Sequence, residues 1–414
     1  MRKVKSLSSF LLLAVIAGLP TGAASQTSGN AETRPFNDPG NQEAKALAAR
    51  LNISVGQATK RLRLERNAAR LASKLKQEGK ADEVVVALEG DKIAVYRGDE
   101  ASVASDIATE IDSDLRPEVS ERELARTPRQ LKETVARLAP ILQSVPGFQG
   151  FRIKRKEGLA TVLTTDVTAT RQALATGIPD LPDFISIEQS DPILLTAAVR
   201  GGRPAPYVKG SSCAGGTWGY VVYETAAPAR RGLLTAAHVS IENSLQPLVF
   251  TTATAITDCR SGTLQSYVKE YRGRSDSSSV ARYGVDISYH RNSSDTYEPY
   301  IWDGSSYRTV RYQYTPVTGS YLCKFGQVTR QTCGVLQDDL IWSNGYGYMS
   351  WIKADAGVSL MVDKGDSGGP VWSGFTYTDG VGIVHAQWGA TNMLYSELAT
   401  LQDRGMGLSL LTSP

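Results

Sequence analysis

The stretch MVDKGDSGGPVW, Met361–Trp372, gathers three glycines, two aspartates and a proline around a single serine, Ser367. Gly, Asp and Ser are also the residues that tight turns favour for backbone reasons. A serine becomes a nucleophile only with a base beside it. The meaning of Ser367 therefore depends on whether the chain supplies a histidine, a group to orient it, and donors for an oxyanion.

Only three histidines exist: His238, His290 and His385. His238 closes RRGLLTAAHV, a β-type run followed by small residues, so its imidazole should emerge just after a buried strand. Asp286 stands in RYGVDISYH, 48 residues after His238 and 81 before Ser367. An acid, a histidine and a serine in the order His, Asp, Ser form one of the known triad orders. The three stretches together are far more specific than any one of them. His290, alternating with Tyr289 along the Asp286 strand, reads as a surface residue.

Around these motifs, from Gly201 on, short runs rich in Val, Ile, Thr, Tyr and Trp alternate with clusters of Gly, Ser, Asn and Asp. No amphipathic helix is legible there before the last dozen or so residues. Such a pattern indicates a β-sandwich or barrel, and its length is ample for a two-barrel core.

The chain before it has a different composition. Residues 26–200 hold 25 Lys/Arg and 25 Asp/Glu with one tyrosine and no tryptophan, whereas residues 201–414 hold 17 of each charge, 17 tyrosines and all six tryptophans. The run from Asn41 to Gly79 favours helix, with a capping box at Ser54 and Gln57 and an apolar stripe of Leu64, Ala68, Leu71 and Leu75. Gly-containing turns at Glu89–Asp91 and Glu157–Gly158 separate β-prone runs into two hairpins, with helical pattern around Gln130–Gln143 between them. This half is α+β and carries no histidine or cysteine. Its basic cluster KRLRLER is interrupted by glutamate and periodic in leucine, so it reads as a solvated helix face. Both halves are nearly neutral, and a net charge of +3 gives no reason to expect nucleic acid or an anionic membrane.

The ends indicate export. A basic head (Arg2, Lys3, Lys5), an apolar segment from Phe10 to Leu19 and small residues at Ala23, Ala24 and Ser25 form a secretory signal pattern, too short to span a bilayer. We expect a signal peptide over 1–25, a pro-region over 26–199 and a catalytic domain over 200–414, in a secreted monomer. In an oxidising compartment Cys213, Cys259, Cys323 and Cys333 should pair. Four cysteines allow three connectivities; Cys323 with Cys333 closes a hairpin-sized loop, leaving Cys213 for Cys259. No CxxC spacing or histidine pair supports a metal site, and no cofactor is expected.

TAAH, VDIS and GDSGGPV resemble the three signature stretches of chymotrypsin-like serine proteases, and the chain is most similar to their secreted bacterial branch of alpha-lytic protease and the streptogrisins. LCKFGQVTRQTCGVL resembles that branch's disulfide hairpin, and LNISVGQATKRL a helical stretch of its pro-regions. The resemblance implies an all-β double six-stranded barrel preceded by an α+β pro-region that assists folding and occupies the cleft. It implies Ser367 as nucleophile, His238 as general base and then acid, and Asp286 as the carboxylate that fixes the imidazole. The backbone N–H groups of Gly365 and Ser367 would form the oxyanion hole. Bacterial relatives place an arginine after the cysteine that here is Cys323; this chain has Lys324, which we expect to pair with Asp366.

The chain departs from the family at Val239, where a cysteine is usual. The position six before the serine is acidic in trypsin-like members; here it is Met361, followed by Val362, so the resemblance implies an apolar P1 side chain and not a basic one. His385, Ala386 and Gln387 fall on the strand that binds the substrate backbone in the family, with Gln387 narrowing the pocket entrance. A histidine at about the place of His385 occurs in glutamate-specific relatives, so an acidic P1 is the alternative, beside the simpler reading of His385 as a core or hydrogen-bonded residue. The expected partners are protein or peptide substrates and the chain's own pro-region. Two other classes compete: a binding module with catalysis lost, which the filled triad disfavours, and an α/β-hydrolase, which needs an acid and then a histidine after its serine where only 47 residues remain.

Overall fold

The computed structural model describes residues 42–98, 102–178, 181–190, 193–195, 202, 204–209, 212–239, 248–251, 264–272, 285–291, 296–343, 346–375, 378–403 and 405–413. The expected leader, the boundary near residue 200 and Cys259 lie outside them. None of the helices among the described residues is long and apolar enough to cross a membrane.

The first half builds two small α+β layers. Helix Val55–Gln77 starts where Ser54 accepts from the Gln57 N–H and the Gln57 side chain answers the Ser54 N–H. That reciprocal pair satisfies two donors that a helix start leaves open. Leu64, Ala68, Leu71 and Leu75 are buried against Val84, Val86, Leu88, Ile93 and Val95 of the hairpin Val84–Glu89/Lys92–Arg97. The charges of its basic cluster are engaged within the chain: Arg63 pairs with Asp112 and Asp114, and Arg61 donates to the Gly319 carbonyl. In the second layer, helix Pro128–Leu142, capped by Thr127 and Gln130, packs Leu131, Val135 and Leu138 on Phe151, Ile153 and Val162. Those residues belong to the hairpin Phe148–Lys154/Leu159–Thr164.

Strand Phe148–Lys154 also pairs antiparallel with Arg330–Ser343, from Asp339↔Lys154 to Ser343↔Gly150. The first half is thus joined to the β domain by main-chain hydrogen bonds. Within that domain Tyr321–Gly326, Arg330–Ser343, Gly347–Ala354, Asn392–Glu397, Thr378–Trp388 and Pro370–Ser373 pair in that order, and the last pairs back to the first. A six-strand barrel is therefore closed. Its apolar interior holds Leu322, Leu336, Ile352, Met361, Val362, Val371, Val381, Val384, Met393 and Tyr395. Each large side chain buried in this way contributes about 1.5–3 kcal/mol.

The other β unit is a path of eight strands: Leu408–Leu410, Val221–Glu224, Ala227–Thr235, Ser288–Arg291, Leu264–Arg272, Leu248–Thr251, Pro204–Lys209 and Ser212–Thr217. Among the described residues this path does not close on itself. Cys323 and Cys333 are bonded across the hairpin that begins the barrel. The expectation for Cys213 with Cys259 falls outside the described residues.

His290 corrects the sequence reading. Alternation placed it on the surface, yet it is wholly buried, its Nε2 2.9 Å from Ser288 Oγ and its ring 5.3 Å from that of Trp218. Its strand is paired on both edges, to Ala227–Thr235 and to Leu264–Arg272, and Trp218 covers the face that alternation assigned to solvent.

Candidate active site

Local structure explains how three distant residues meet. Strand Ala227–Thr235 ends in Ala236 and the single 3-10 turn Ala237–Val239, which carries His238. Thr235 is in register with Ser288, so the residues just beyond this pair, His238 and Asp286, emerge at the same end of the sheet. Asp286 Oδ1 accepts from the His238 backbone N–H at 2.8 Å, and its Oδ2 meets His238 Nδ1. On the far side of the ring, Nε2 lies 2.9 Å from Ser367 Oγ. All three side chains are buried.

Ser367 comes from the six-strand barrel, on the turn that leads into Pro370–Ser373. That turn requires glycine at two positions. Gly365 has φ 124° and Gly368 φ 84°, a left-handed backbone that L side chains rarely adopt. A Cβ on Gly368 would lie 2.1 Å from the carbonyl oxygen of Thr217. Thr217, which sequence reading missed, fastens the turn to the eight-strand unit. Its N–H donates to the Ser367 carbonyl at 2.5 Å and its hydroxyl to the Gly365 carbonyl at 2.9 Å, while Thr235 Oγ1 donates to its own carbonyl at 3.0 Å. Nothing in its local context, SCAGGTWG, marks it, because its partners are about 150 residues away.

The Asp366 carboxylate is held in a cluster of donors. Its Oδ2 accepts from Lys324 Nζ at 2.8 Å, the Asp363 N–H at 3.1 Å and Thr329 Oγ1 at 2.5 Å; its Oδ1 accepts from the N–H groups of Val328 at 2.8 Å and Thr329 at 3.3 Å. Burial pushes the Lys324 ammonium pKa down, against the opposing pull of Asp366. Thr329 is a second residue without a sequence signal, since its role arises from a turn that folds back over the carboxylate.

About half of the chain is similar to solved protease structures. Thermobifida fusca protease A is 21% identical over 52% of this chain and 100% of its own, with a TM-score of 0.35. A glutamic acid specific serine protease, described as using a histidine triad in substrate binding, is 17% identical over 51% of this chain and 100% of its own, with a TM-score of 0.36. The Nocardiopsis protease is 18% identical over 52% and 100%, with a TM-score of 0.34. No protein-family model and no curated protein matches the chain.

The remaining site candidates are distributed differently. Met361 and Val362 are wholly buried in the barrel interior, and the Met361 carbonyl accepts from Thr332 Oγ1 at 2.8 Å. Ala386 and Gln387 lie on strand Thr378–Trp388, where Ala386, Gln387 and Trp388 pair antiparallel with Leu195, Leu194 and Ile193. His385 is wholly buried and hydrogen-bonded. Its Nδ1 is 2.7 Å from Asp286 Oδ2, and its own carbonyl accepts from Ser367 Oγ at 3.1 Å.

Asp286 is therefore shared by two imidazoles. Burial alone would raise its pKa, but the charge interactions and hydrogen bonds of His238 and His385 outweigh burial and hold it below the ordinary carboxylate range. Burial pushes the His385 pKa down, with Asp286 opposing. One carboxylate and two imidazoles within 4.8 Å of one another also form a donor set that a metal could use. In this arrangement each donor already faces another through a hydrogen bond, so the three side chains form one hydrogen-bonded relay.

Proposed function

We propose that the chain is the precursor of a secreted serine endopeptidase, with a signal peptide over 1–25, a pro-region over 26–199 and a catalytic domain over 200–414. One observation carries the reading: Ser367 Oγ stands 2.9 Å from His238 Nε2, while the other ring nitrogen is held on a buried carboxylate. A hydroxyl is a poor nucleophile at its own pKa and needs a base at this position.

The steps follow from that geometry. Ser367 Oγ attacks the peptide carbonyl carbon, and its proton passes to His238 Nε2. Asp286 holds the imidazole in the tautomer whose Nε2 is free to accept, and stabilises the cation once it forms. The carbonyl oxygen, now negative, is met by the backbone N–H groups of Gly365 and Ser367. The C–N bond then breaks, with the His238 proton going to the departing amine, and water repeats the sequence to release the acyl group.

Apolar P1 side chains are the substrate class this reading assigns. The reading is supported by Met361 and Val362, which bring no charge to the barrel interior, and by His385, whose Nδ1 faces Asp286. The role of residues 26–199 as a pro-region is supported by Ile193–Leu195, which pairs with the strand next to Ser367 as a peptide would.

The test is to incubate the secreted, processed protein with a peptidyl phosphonate and locate the adduct by mass spectrometry. Modification of Ser367, lost in His238→Ala, supports the reading. An unmodified Ser367 in folded, processed protein would favour a binding module instead.

A further inference from the structure

The relay needs one imidazole on Asp286, and the structure supplies two. His385 is wholly buried and reaches both ends of the relay, its side chain on the acid and its main chain on the nucleophile. The titratable groups facing its ring are Asp286, His238 and Tyr346; the Tyr346 ring centroid is 4.9 Å away and that of His238 5.6 Å. Its Nε2 lies 3.4 Å from Ser343 Oγ.

The hydrogen-bond inventory decides the tautomer. An ionised carboxylate only accepts, so Nδ1 must carry the proton shared with Asp286 Oδ2, and in the neutral ring Nε2 is then an acceptor for the Ser343 hydroxyl. Burial, which disfavours the imidazolium, keeps the ring in this neutral form. Asp286 Oδ1 is held by the His238 backbone N–H. With Oδ2 held from the opposite side by a second ring, the carboxylate is fixed against rotation about both oxygens.

We propose that His385 is a positioning residue of the active site: a neutral Nδ1–H donor that anchors Asp286 Oδ2 and divides its negative charge between two imidazoles. This rests on Ser367, His238 and Asp286 acting as described above. It assigns to His385 a role in orienting the acid, in place of one in reading the substrate side chain. Removing the donor concentrates the carboxylate charge on His238, which makes the imidazolium easier to form and moves the acid limb of the rate profile to higher pH. It also lets the carboxylate rotate, which lowers turnover.

The experiment compares His385→Ala and His385→Asn with the parent, all expressed as full chains and allowed to process. It measures kcat, KM and the pH profile of kcat/KM on a peptide amide with an apolar P1 residue, and records low-field proton spectra. A hydrogen bond to a charged group is worth enough that His385→Ala should lower kcat about ten- to a hundred-fold. KM should stay within about twofold, because the residue acts on the transition state and not on ground-state binding. The acid limb should move up, and His385→Asn, whose amide can still donate, should recover part of the loss. The parent should show two low-field imidazole protons, of which the variants lose one.

A folded His385→Ala with parental kcat and acid limb would overturn the proposal, as would a parent spectrum with a single low-field proton. The spectrum reads the parent alone, so the proposal stays testable if the alanine variant does not fold. Failure of the phosphonate to label parental Ser367 would instead strike the endopeptidase reading, with the His385 proton still present in the spectrum.

Discussion

Lys324 Nζ lies 2.8 Å from Asp366 Oδ2, and both side chains are wholly buried. A charge pair of this kind resists separation, because removing one member leaves the other uncompensated in a medium that solvates it poorly. Lys324→Ala should cost about 3–5 kcal/mol of stability. The carboxylate next to Ser367 would then turn toward solvent and take the oxyanion donors with it. Urea unfolding measures the first effect, and active-site titration with a phosphonate the second. Unchanged titration in a folded variant would separate Lys324 from the activity.

Asp286→Asn tests the acid itself. An amide offers N–H where the histidines need an acceptor, so His238 is driven toward the tautomer that cannot take the serine proton. A loss of about ten-thousand-fold in kcat is expected, with little change in folding. Steady-state kinetics on a peptide amide reads the first, and circular dichroism the second.

Gly368→Ala tests the turn. The added methyl would stand 2.1 Å from both the Thr217 carbonyl and the Thr235 hydroxyl, at a residue with φ 84°. Backbone strain alone costs about 1–3 kcal/mol, and the clash cannot be relieved without parting the two β units. Little soluble folded protein should accumulate, judged by circular dichroism of what is secreted.

Glu65 gives the assembly a pH dependence. Burial pushes its carboxyl up to about 7, opposed by Arg61, and burial likewise pushes Asp379 up to about 6, opposed by Arg311 and Arg66. Both acids are therefore protonated in the folded chain over a range where the unfolded chain is ionised. Their contribution to stability is fully present below about pH 4 and is lost as pH rises through about 6 to 7. Its size is on the order of 3 kcal/mol for each acid. In a Ser367→Ala background, chosen because the proposed endopeptidase would cleave itself, the urea midpoint should fall between pH 5 and pH 8, and Glu65→Gln should flatten that fall.

What the sequence made legible was local. The capping box at Ser54, the leucine stripe behind it and both first-half hairpins are short-range patterns, and each appears in the fold as an element at its expected place. The meeting of His238 with Asp286 and Ser367 was legible for another reason: chemistry restricts which residue types can stand together, and chain order restricts which of them are available. His290 was misread because alternation assigns a side chain to one face of a strand and says nothing of what covers that face. Thr217 and Thr329 escaped notice because hydroxyls that accept and donate across long sequence gaps leave no periodic signature. His385 was found by its place on the strand, but its partner depended on which way a single side chain turns, and only packing against Tyr346 and Asp286 decides that.

Strand Arg330–Ser343 is flanked by Gly347–Ala354 on one side and by Phe148–Lys154 on the other. If residues 26–199 are cut away, the main-chain groups of 339–343 lose a neighbour and become an open edge, the kind of surface that recruits other strands. Maturation would then have a hazard built into it. Freshly released enzyme would present a sticky margin to any extended segment nearby, including its own discarded first half, so that dilution after secretion, and not cleavage alone, would determine how much of it stays free.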